Sequence, residues 1–225
     1  MILAAGRGER LRPVTDRLPK PLLEVGGKPL LAWHLERLAE AGFREVVINI
    51  SHFADLIAGR IGHGAAFGLV IEYSREAEPL ETAGGIARAR AQLGEAPFLL
   101  VNGDVYCECD FGRLRGEPLG TRLAHLVLVP NPAHHPQGDF SLDDGRVGNG
   151  AGPRYTYAGI ALMSPALVDG IEPGTRAPLA PLLRAAAEQG GITGGLYEGV
   201  WQDVGTVERL ATLDSLLKVR HGARR

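Results

Sequence analysis

Several short segments of this chain combine residue types and spacings suited to chemistry on phosphates. Leu3-Ala4-Ala5-Gly6-Arg7-Gly8-Glu9-Arg10-Leu11 runs from an apolar start into a turn with two glycines. A strand that ends in such a turn lets backbone N–H groups approach phosphate oxygens, with no Cβ at Gly6 or Gly8 to block them. Arg7, Arg10 and Arg12 crowd the turn. Basic groups held there suit a triphosphate better than a neutral ligand, although a merely solvated basic loop has the same composition. The dinucleotide fingerprint G-x-G-x-x-G fails, because Leu11 stands where its third glycine belongs, and no G-x-x-x-x-G-K-[S/T] loop occurs. Neither a dehydrogenase nor a P-loop NTPase is indicated.

Lys20 lies between two prolines, Pro19 and Pro21, which restrict the backbone on both sides and hold a cation at a fixed point. Only three of the 24 basic residues are lysines, the others being Lys28 and Lys218. Genomic base composition accounts for the ratio, yet a lysine kept in such a chain stands out. Lys218 is expected on a solvated helix face, and Lys28, in a Gly-Gly-Lys-Pro turn, carries no assigned role. Asp104 follows the apolar run Phe98 to Val101 and Asn102-Gly103, where a carboxylate at the carboxyl end of a strand meets the ligand crevice of an open sheet. Asp203, in Trp201-Gln202-Asp203-Val204-Gly205, is the second candidate. Two carboxylates distant in sequence can share Mg²⁺, which prefers oxygen ligands and keeps waters and substrate phosphates. Taken singly, each aspartate is equally compatible with an N-cap or a turn.

These residues need elements to position them, and apolar β-branched runs alternating with amphipathic stretches supply βα units. Strands are expected at Ile2 to Ala5, Val46 to Asn49, Val70 to Tyr73, Phe98 to Asn102 and Leu126 to Val129. Pro29, followed by Leu31, His34, Leu35 and Leu38 at helical spacing and closed by Gly42, predicts a helix. Phe53 to Ile61 and Ile86 to Leu93 read as further crossover helices, the latter with Gly84-Gly85 at its N-terminus. Beyond Pro130, Asn131-Pro132, Asp143-Asp144-Gly145 and Gly148 to Gly152 punctuate short apolar pieces around Phe140, Val147 and Tyr157, which predicts hairpins. Tyr157 to Met163 reads as a buried strand and Pro178 to Gln189 as a helix. A terminal helix over Thr206 to Val219 would place Val207, Leu210, Leu213 and Leu217 on one face. The expected class is α/β: a Rossmann-like mixed, mostly parallel sheet flanked by helices, with a small β-rich insertion. No linker divides the chain, so one domain over 1–225 is expected, with halves at 1–130 and 131–225.

At 225 residues, 45% apolar and 22% charged, the composition suits a globular protein. No apolar run approaches the ~18 residues of a membrane span, and the opening stretch breaks at Gly6-Arg7, too early for a signal peptide. A cytoplasmic location is therefore expected. A net charge of −2 argues against nucleic acid or an anionic membrane as partner. Cys107 and Cys109 are too close for an easy mutual disulfide and complete no metal set, and they read as incidental.

Taken together, Leu3 to Thr15 with Pro19-Lys20-Pro21, then Glu81-Thr82-Ala83-Gly84-Gly85-Ile86, Asn102-Gly103-Asp104, Tyr157-Ala158-Gly159-Ile160 and Trp201-Gln202-Asp203-Val204-Gly205-Thr206, resemble the signature of the sugar-1-phosphate nucleotidylyltransferases. The resemblance spans nearly the whole chain. It implies that the turn with Leu3, Ala4, Ala5, Gly6, Gly8, Glu9 and Arg10 meets a nucleoside triphosphate, with Asn102 also on the nucleotide. Lys20 and Arg10 would act on the reacting phosphates, and Asp104 and Asp203 would hold Mg²⁺. The base would be read near Glu76 and by backbone around Ala83 and Gly84. Glu9 departs from the Thr or Ser common in the family, and an acid beside triphosphate repels unless it faces away. Many glucose-1-phosphate members carry a second lysine, which is missing here between Lys28 and Lys218. The string Asn131-Pro132-Ala133-His134-His135-Pro136-Gln137-Gly138-Asp139-Phe140 and the compact length look instead like the N-acetylmuramate α-1-phosphate uridylyltransferases of bacterial cell-wall (peptidoglycan) recycling. On that likeness Gly103, Asp139, Asn149 and Tyr157 are the candidate sugar contacts, while His134 and His135 also fit exposed turn residues. The implied reaction joins an NTP, UTP first, to a sugar 1-phosphate, in a monomer or small homo-oligomer. A hexose-1-phosphate guanylyl- or thymidylyltransferase and a non-catalytic sugar-nucleotide sensor are the other readings.

Overall fold

In the computed structural model, which describes residues 1–222, the apolar runs of the sequence become the centre of a nine-stranded sheet. In chain order, β1 (Ile2–Leu3) leads into short 3-10 turns at Glu9–Leu11, Val14–Asp16 and Lys20–Leu22, and then into a hairpin of β2 (Glu24–Val25) and β3 (Lys28–Pro29). The βα units follow: α1 (Leu30–Glu40), β4 (Glu45–Ile50), α2 (Ala54–Ile61), β5 (Val70–Arg75), α3 (Glu81–Arg88), α4 (Arg90–Leu93) and β6 (Phe98–Asn102). After β7 (Val105–Cys107) and α5 (Phe111–Gly116) come β8 (Ala124–Val129), β9 (Phe140–Asp143), β10 (Arg146–Gly148) and β11 (Arg154–Met163). The chain closes with α6 (Leu179–Glu188), β12 (Ile192–Leu196), β13 (Trp201–Asp203) and α7 (Val207–Gly222).

The strand order is β5-β4-β1-β6-β11-β8-β12-β10-β9. From β5 to β6 every pair is parallel, as crossover helices require. The sheet is mixed rather than mostly parallel, because β11 runs antiparallel to both of its neighbours, β6 and β8. The β9–β10 hairpin is likewise antiparallel and extends the same sheet at its far edge through β12. Sheet faces follow the period-two rule: Val46, Ile48 and Ile50 enter a core with Leu31, Leu35 and Ile57, whereas Val47 faces one with Ile86, Leu126 and Leu183. A third cluster joins Leu11, Val25, Trp33, Leu213 and Leu217, so α7 seals the hairpin and the first turns against α1. No helix among the described residues is long and apolar enough to cross a membrane.

Two local expectations change. Gly84 and Gly85 lie inside α3, which begins at Glu81, and not at the start of a later helix. Helix α3 has no side-chain cap, so its early amides need another acceptor. Ala177 supplies it: its carbonyl accepts from the amides of Ala83 (3.0 Å) and Gly84 (3.1 Å). On α7, Leu213 and Leu217 are buried, whereas Val207, the helix's first residue, is exposed.

Candidate active site

The carboxyl ends of β1, β4 and β6 open into a cavity of about 860 Å³, at the upper end of the ~300–1,000 Å³ usual for small-molecule sites. Leu3, Ala4, Ala5, Gly6, Gly8, Glu9 and Arg10 all line it, as do Lys20, Glu76, Asn102, Gly103 and Asp104. The glycine turn is held from below. Gly8 has φ 66°, a left-handed conformation that glycine adopts freely, and the Thr15 hydroxyl donates to its carbonyl at 2.9 Å. One step earlier, the amide of Ala4 donates to the side-chain oxygen of Asn49 at 2.8 Å. The Asn49 amide in turn donates to Glu76 at 2.7 Å, and the other Glu76 oxygen accepts from the Leu80 amide at 2.9 Å. Asn49 was not singled out in the sequence. Its signal is a lone polar residue in the apolar strand Val46-Val47-Ile48-Asn49-Ile50.

Lys20 sits in the 3-10 turn that its flanking prolines shape, with only 8% of its surface exposed. Its ammonium donates to Asp104 Oδ2 at 2.8 Å. Asp104 is brought next to Asp203 by the antiparallel pairing of β7 and β13, in which Asp203 faces Val105 and the Val204 amide donates to the Asp104 carbonyl at 2.7 Å. Asp203 is itself engaged: Arg209 donates to its Oδ2 at 2.5 Å and to His134 Nε2 at 2.7 Å, and His134 lies 3.3 Å from Oδ1. No cluster of three or more His, Cys, Asp or Glu suited to a metal occurs among the described residues. Asp104 lines the cavity and Asp203 does not, and both Asp203 oxygens are taken by Arg209 and His134; as hard oxygen donors the two carboxylates would suit an ion that draws its remaining ligands from water and substrate phosphates.

Of the four cations lining the cavity, three are paired with acids: Arg7 with Glu78 (3.0 Å), Lys20 with Asp104 and Arg176 with Glu81 (2.9 Å). Arg10 has no ion pair among the described residues and is free for an anion. Asn102 gains its place from Gly159, where β11 bulges at φ 74° and a Cβ would come within 2.6 Å of the Asn102 amide nitrogen.

Other expected residues lie elsewhere. Ala83 and Gly84 do not line the cavity, and their amides are used by Ala177, which leaves neither donor for a base. Asn149 is also outside, because its amide spans to the Arg184 carbonyl (2.9 Å) and Glu188 (3.2 Å) on α6. Asp139 and Tyr157 come together, since the Tyr157 amide donates to Asp139 Oδ2 at 2.8 Å, yet they too sit off the cavity wall. His135 turns to Asp139 at 3.1 Å. The Tyr157 hydroxyl is buried without a partner among the described residues, and burial together with the Asp139 charge pushes its pKa up.

The family model described as nucleotidyl transferase matches residues 1–116. An N-acetylmuramate alpha-1-phosphate uridylyltransferase of Neisseria meningitidis serogroup B is 50% identical over 96% of either chain. The mannose-1-phosphate guanylyltransferase catalytic subunit beta of Danio rerio is 31% identical over 91% of this chain, which spans 60% of that relative's length. Among solved structures, a Bacillus anthracis chain in complex with sucrose superposes with a TM-score of 0.86, covering 96% of this chain and 94% of its own; at 20% identity the likeness is one of fold.

Proposed function

Since the chain belongs to the nucleotidyl transferase family, we propose that it transfers a uridylyl group from UTP to a sugar 1-phosphate, with N-acetylmuramic acid α-1-phosphate as acceptor. The observation that carries the reading is the 50% identity with the Neisseria uridylyltransferase, extended over 96% of either chain. The geometry supports the chemistry: a glycine turn, an arginine with no ion pair among the described residues and a buried lysine line one cavity and suit two anionic substrates.

In this reading an oxygen of the sugar phosphate attacks the α-phosphorus of the triphosphate, a P–O bond forms, and the bond to the departing pyrophosphate breaks. A phosphate dianion is already nucleophilic at neutral pH, so no general base is needed. The protein acts by positioning and by neutralising charge. Backbone N–H groups of the Gly6 to Arg10 turn hold the triphosphate, Lys20 offsets charge at the reacting phosphates, and Arg10 meets the pyrophosphate. Asp104 and Asp203 would hold Mg²⁺, which when bound screens the two anions from each other. Such an activity belongs to peptidoglycan recycling in the cytoplasm.

A second reading, mannose-1-phosphate guanylyl transfer, is favoured by the 31% identity with the Danio rerio enzyme. Pyrophosphate release over four NTPs crossed with muramic, glucosamine, glucose and mannose 1-phosphates tests both. The highest rate is expected for UTP with the N-acetylmuramic acid derivative. A maximum at GTP with mannose 1-phosphate would favour the second reading, and no release in any combination would favour a sensor.

A further inference from the structure

Arg209 is not part of the cavity lining, yet it stands directly behind that wall. Gly205 lines the cavity, and a Cβ at Gly205 would overlap Arg209 Nη2. Gly205 has no left-handed φ, so its backbone conformation does not ask for glycine. What the missing Cβ provides is room for a guanidinium against the cavity wall.

That guanidinium is fixed through one of its nitrogens. Nη1 donates to Asp203 Oδ2 at 2.5 Å and to His134 Nε2 at 2.7 Å. The backbone is tied as well: the Arg209 amide donates to the Thr206 hydroxyl oxygen at 3.3 Å, and the Arg209 carbonyl accepts from Gln202 at 2.7 Å. The side chain is 19% exposed, against 46% for Arg7 and 73% for Arg176. A guanidinium carries five N–H donors in a planar fork, and Nη2 makes no hydrogen bond among the described residues. A cation held this firmly, with a terminal N–H pair unspent beside a ligand cavity, is a preorganised contact for an anion.

Its place along the sheet points to the second substrate. The glycine turn follows β1 and carries Arg10, whereas Arg209 is anchored to β13, which pairs with β7 beyond the end of β6, and to the segment between β8 and β9 that carries His134. In an in-line displacement the attacking and leaving oxygens stand on opposite sides of phosphorus. With the pyrophosphate leaving toward Arg10, the attacking group comes from the side away from the glycine turn, where Asp104 and Gly205 line the cavity. Asp203 offsets the Arg209 charge, and it offsets less when the same carboxylate also serves the proposed Mg²⁺.

We propose that Arg209, held by Asp203 and His134, binds an anionic oxygen of the acceptor past Gly205, a role that rests on the nucleotidyl transfer reading above. N-acetylmuramic acid 1-phosphate offers two such groups, its phosphate and the carboxylate of its lactyl ether, and both present the same chemistry to Nη2. His134 then ties the segment between β8 and β9 to α7 and keeps the fork from turning.

The test compares R209Q and G205A with the wild type by kcat and KM for acceptor and for UTP, by the Mg²⁺ concentration for half-maximal rate, and by calorimetric binding of two sugar phosphates. These are N-acetylmuramic acid 1-phosphate and N-acetylglucosamine 1-phosphate, which lacks the carboxylate. R209Q should lower kcat/KM for the acceptor by about 10- to 100-fold through a raised KM, the range of a hydrogen bond to a charged group, while KM for UTP and the Mg²⁺ requirement stay within about threefold. G205A keeps the charge but displaces Nη2, so a fall in the same direction is expected, and it carries the test if R209Q does not fold. Equal losses with the two sugar phosphates identify the phosphate as the bound group, and a loss with the muramic derivative alone identifies the carboxylate. Acceptor binding close to wild type in both variants, or a loss shared equally by UTP and Mg²⁺, overturns the proposal and leaves Arg209 as a brace for Asp203. If the wild type transfers no uridylyl group to any sugar phosphate, the functional reading falls, and the calorimetric isotherms still decide whether Arg209 holds the sugar phosphate.

Discussion

Lys20 joins the phosphate end of the cavity to the proposed metal ligands. An ammonium in a largely buried position is stable only when bonded, and here it spends that bond on Asp104, one of the two carboxylates proposed to hold Mg²⁺. Lys20→Ala should lower kcat for pyrophosphate release by about 10²-fold or more, the usual loss for a preorganised charge-stabilising group. Stability should fall by about 1–3 kcal/mol, because the buried lysine stem is lost while the partner carboxylate, 43% exposed, regains water. Near wild-type turnover with an unchanged circular dichroism spectrum would remove Lys20 from catalysis. The lysine was legible in the sequence through its flanking prolines and its rarity. Glu76 was legible as a site residue, but its present work is different: both of its oxygens accept bonds, one from Asn49 and one from Leu80, so it braces the start of the glycine turn through Asn49. That relay joins three segments and leaves no local pattern beyond one polar residue in an apolar strand.

At the scale of elements, α7 closes the site from behind. Asp214 on α7 accepts from the Gly26 amide at 2.9 Å and pairs with Lys218, while Leu213 and Leu217 pack on the β2–β3 hairpin and Trp33. The Trp33 indole donates to the Val25 carbonyl, and Lys28 lies 3.6 Å over its ring and pairs with Glu36, which gives Lys28 a structural place. Leu11, which ends the glycine turn, belongs to the same cluster. Leu217→Ala is expected to cost about 2–5 kcal/mol, because Leu217 is fully buried and little can collapse into the space. In a protein of this size the melting temperature should drop on the order of 10 °C. A shift below about 2 °C by calorimetry would mean that α7 is not integral to the fold. The helix periodicity showed in the sequence, and so did most strands. Which face each strand turned to which helix did not, since period two and period 3.6 mark a buried side without naming what covers it.

Across the whole molecule, burial sets a pH limit. His34 lies on α1 with 1% exposure, and its Nε2 has no hydrogen-bond partner among the described residues. Burial lowers its pKa from 6.5 to about 4, helped by Arg37 and opposed by the Val105 carbonyl and Asp104. The folded protein binds the proton less readily than the unfolded chain, so this stability is complete above pH 6.5 and is lost as pH falls toward 4. The loss is on the order of 3 kcal/mol. Urea unfolding at pH 7 and pH 4.5 should show the decline in the wild type and a flatter response in His34→Leu; equal slopes would assign acid sensitivity to other groups. His34 was visible in the sequence only as one more position on an apolar face. The glycine turn, the lysine between prolines, the two aspartates and the βα alternation could be read directly from the chain, because each is written in neighbouring residues through turn chemistry and hydrophobic period. Folding in three dimensions was needed to run β11 antiparallel between β6 and β8, to bring the backbone of Asp203 beside that of Asp104, to give Ala177 the amides of Ala83 and Gly84, and to hold Glu81 left-handed against Arg176. Those outcomes depend on partners far apart along the chain, whose pairing is settled by sheet closure and packing rather than by local propensity.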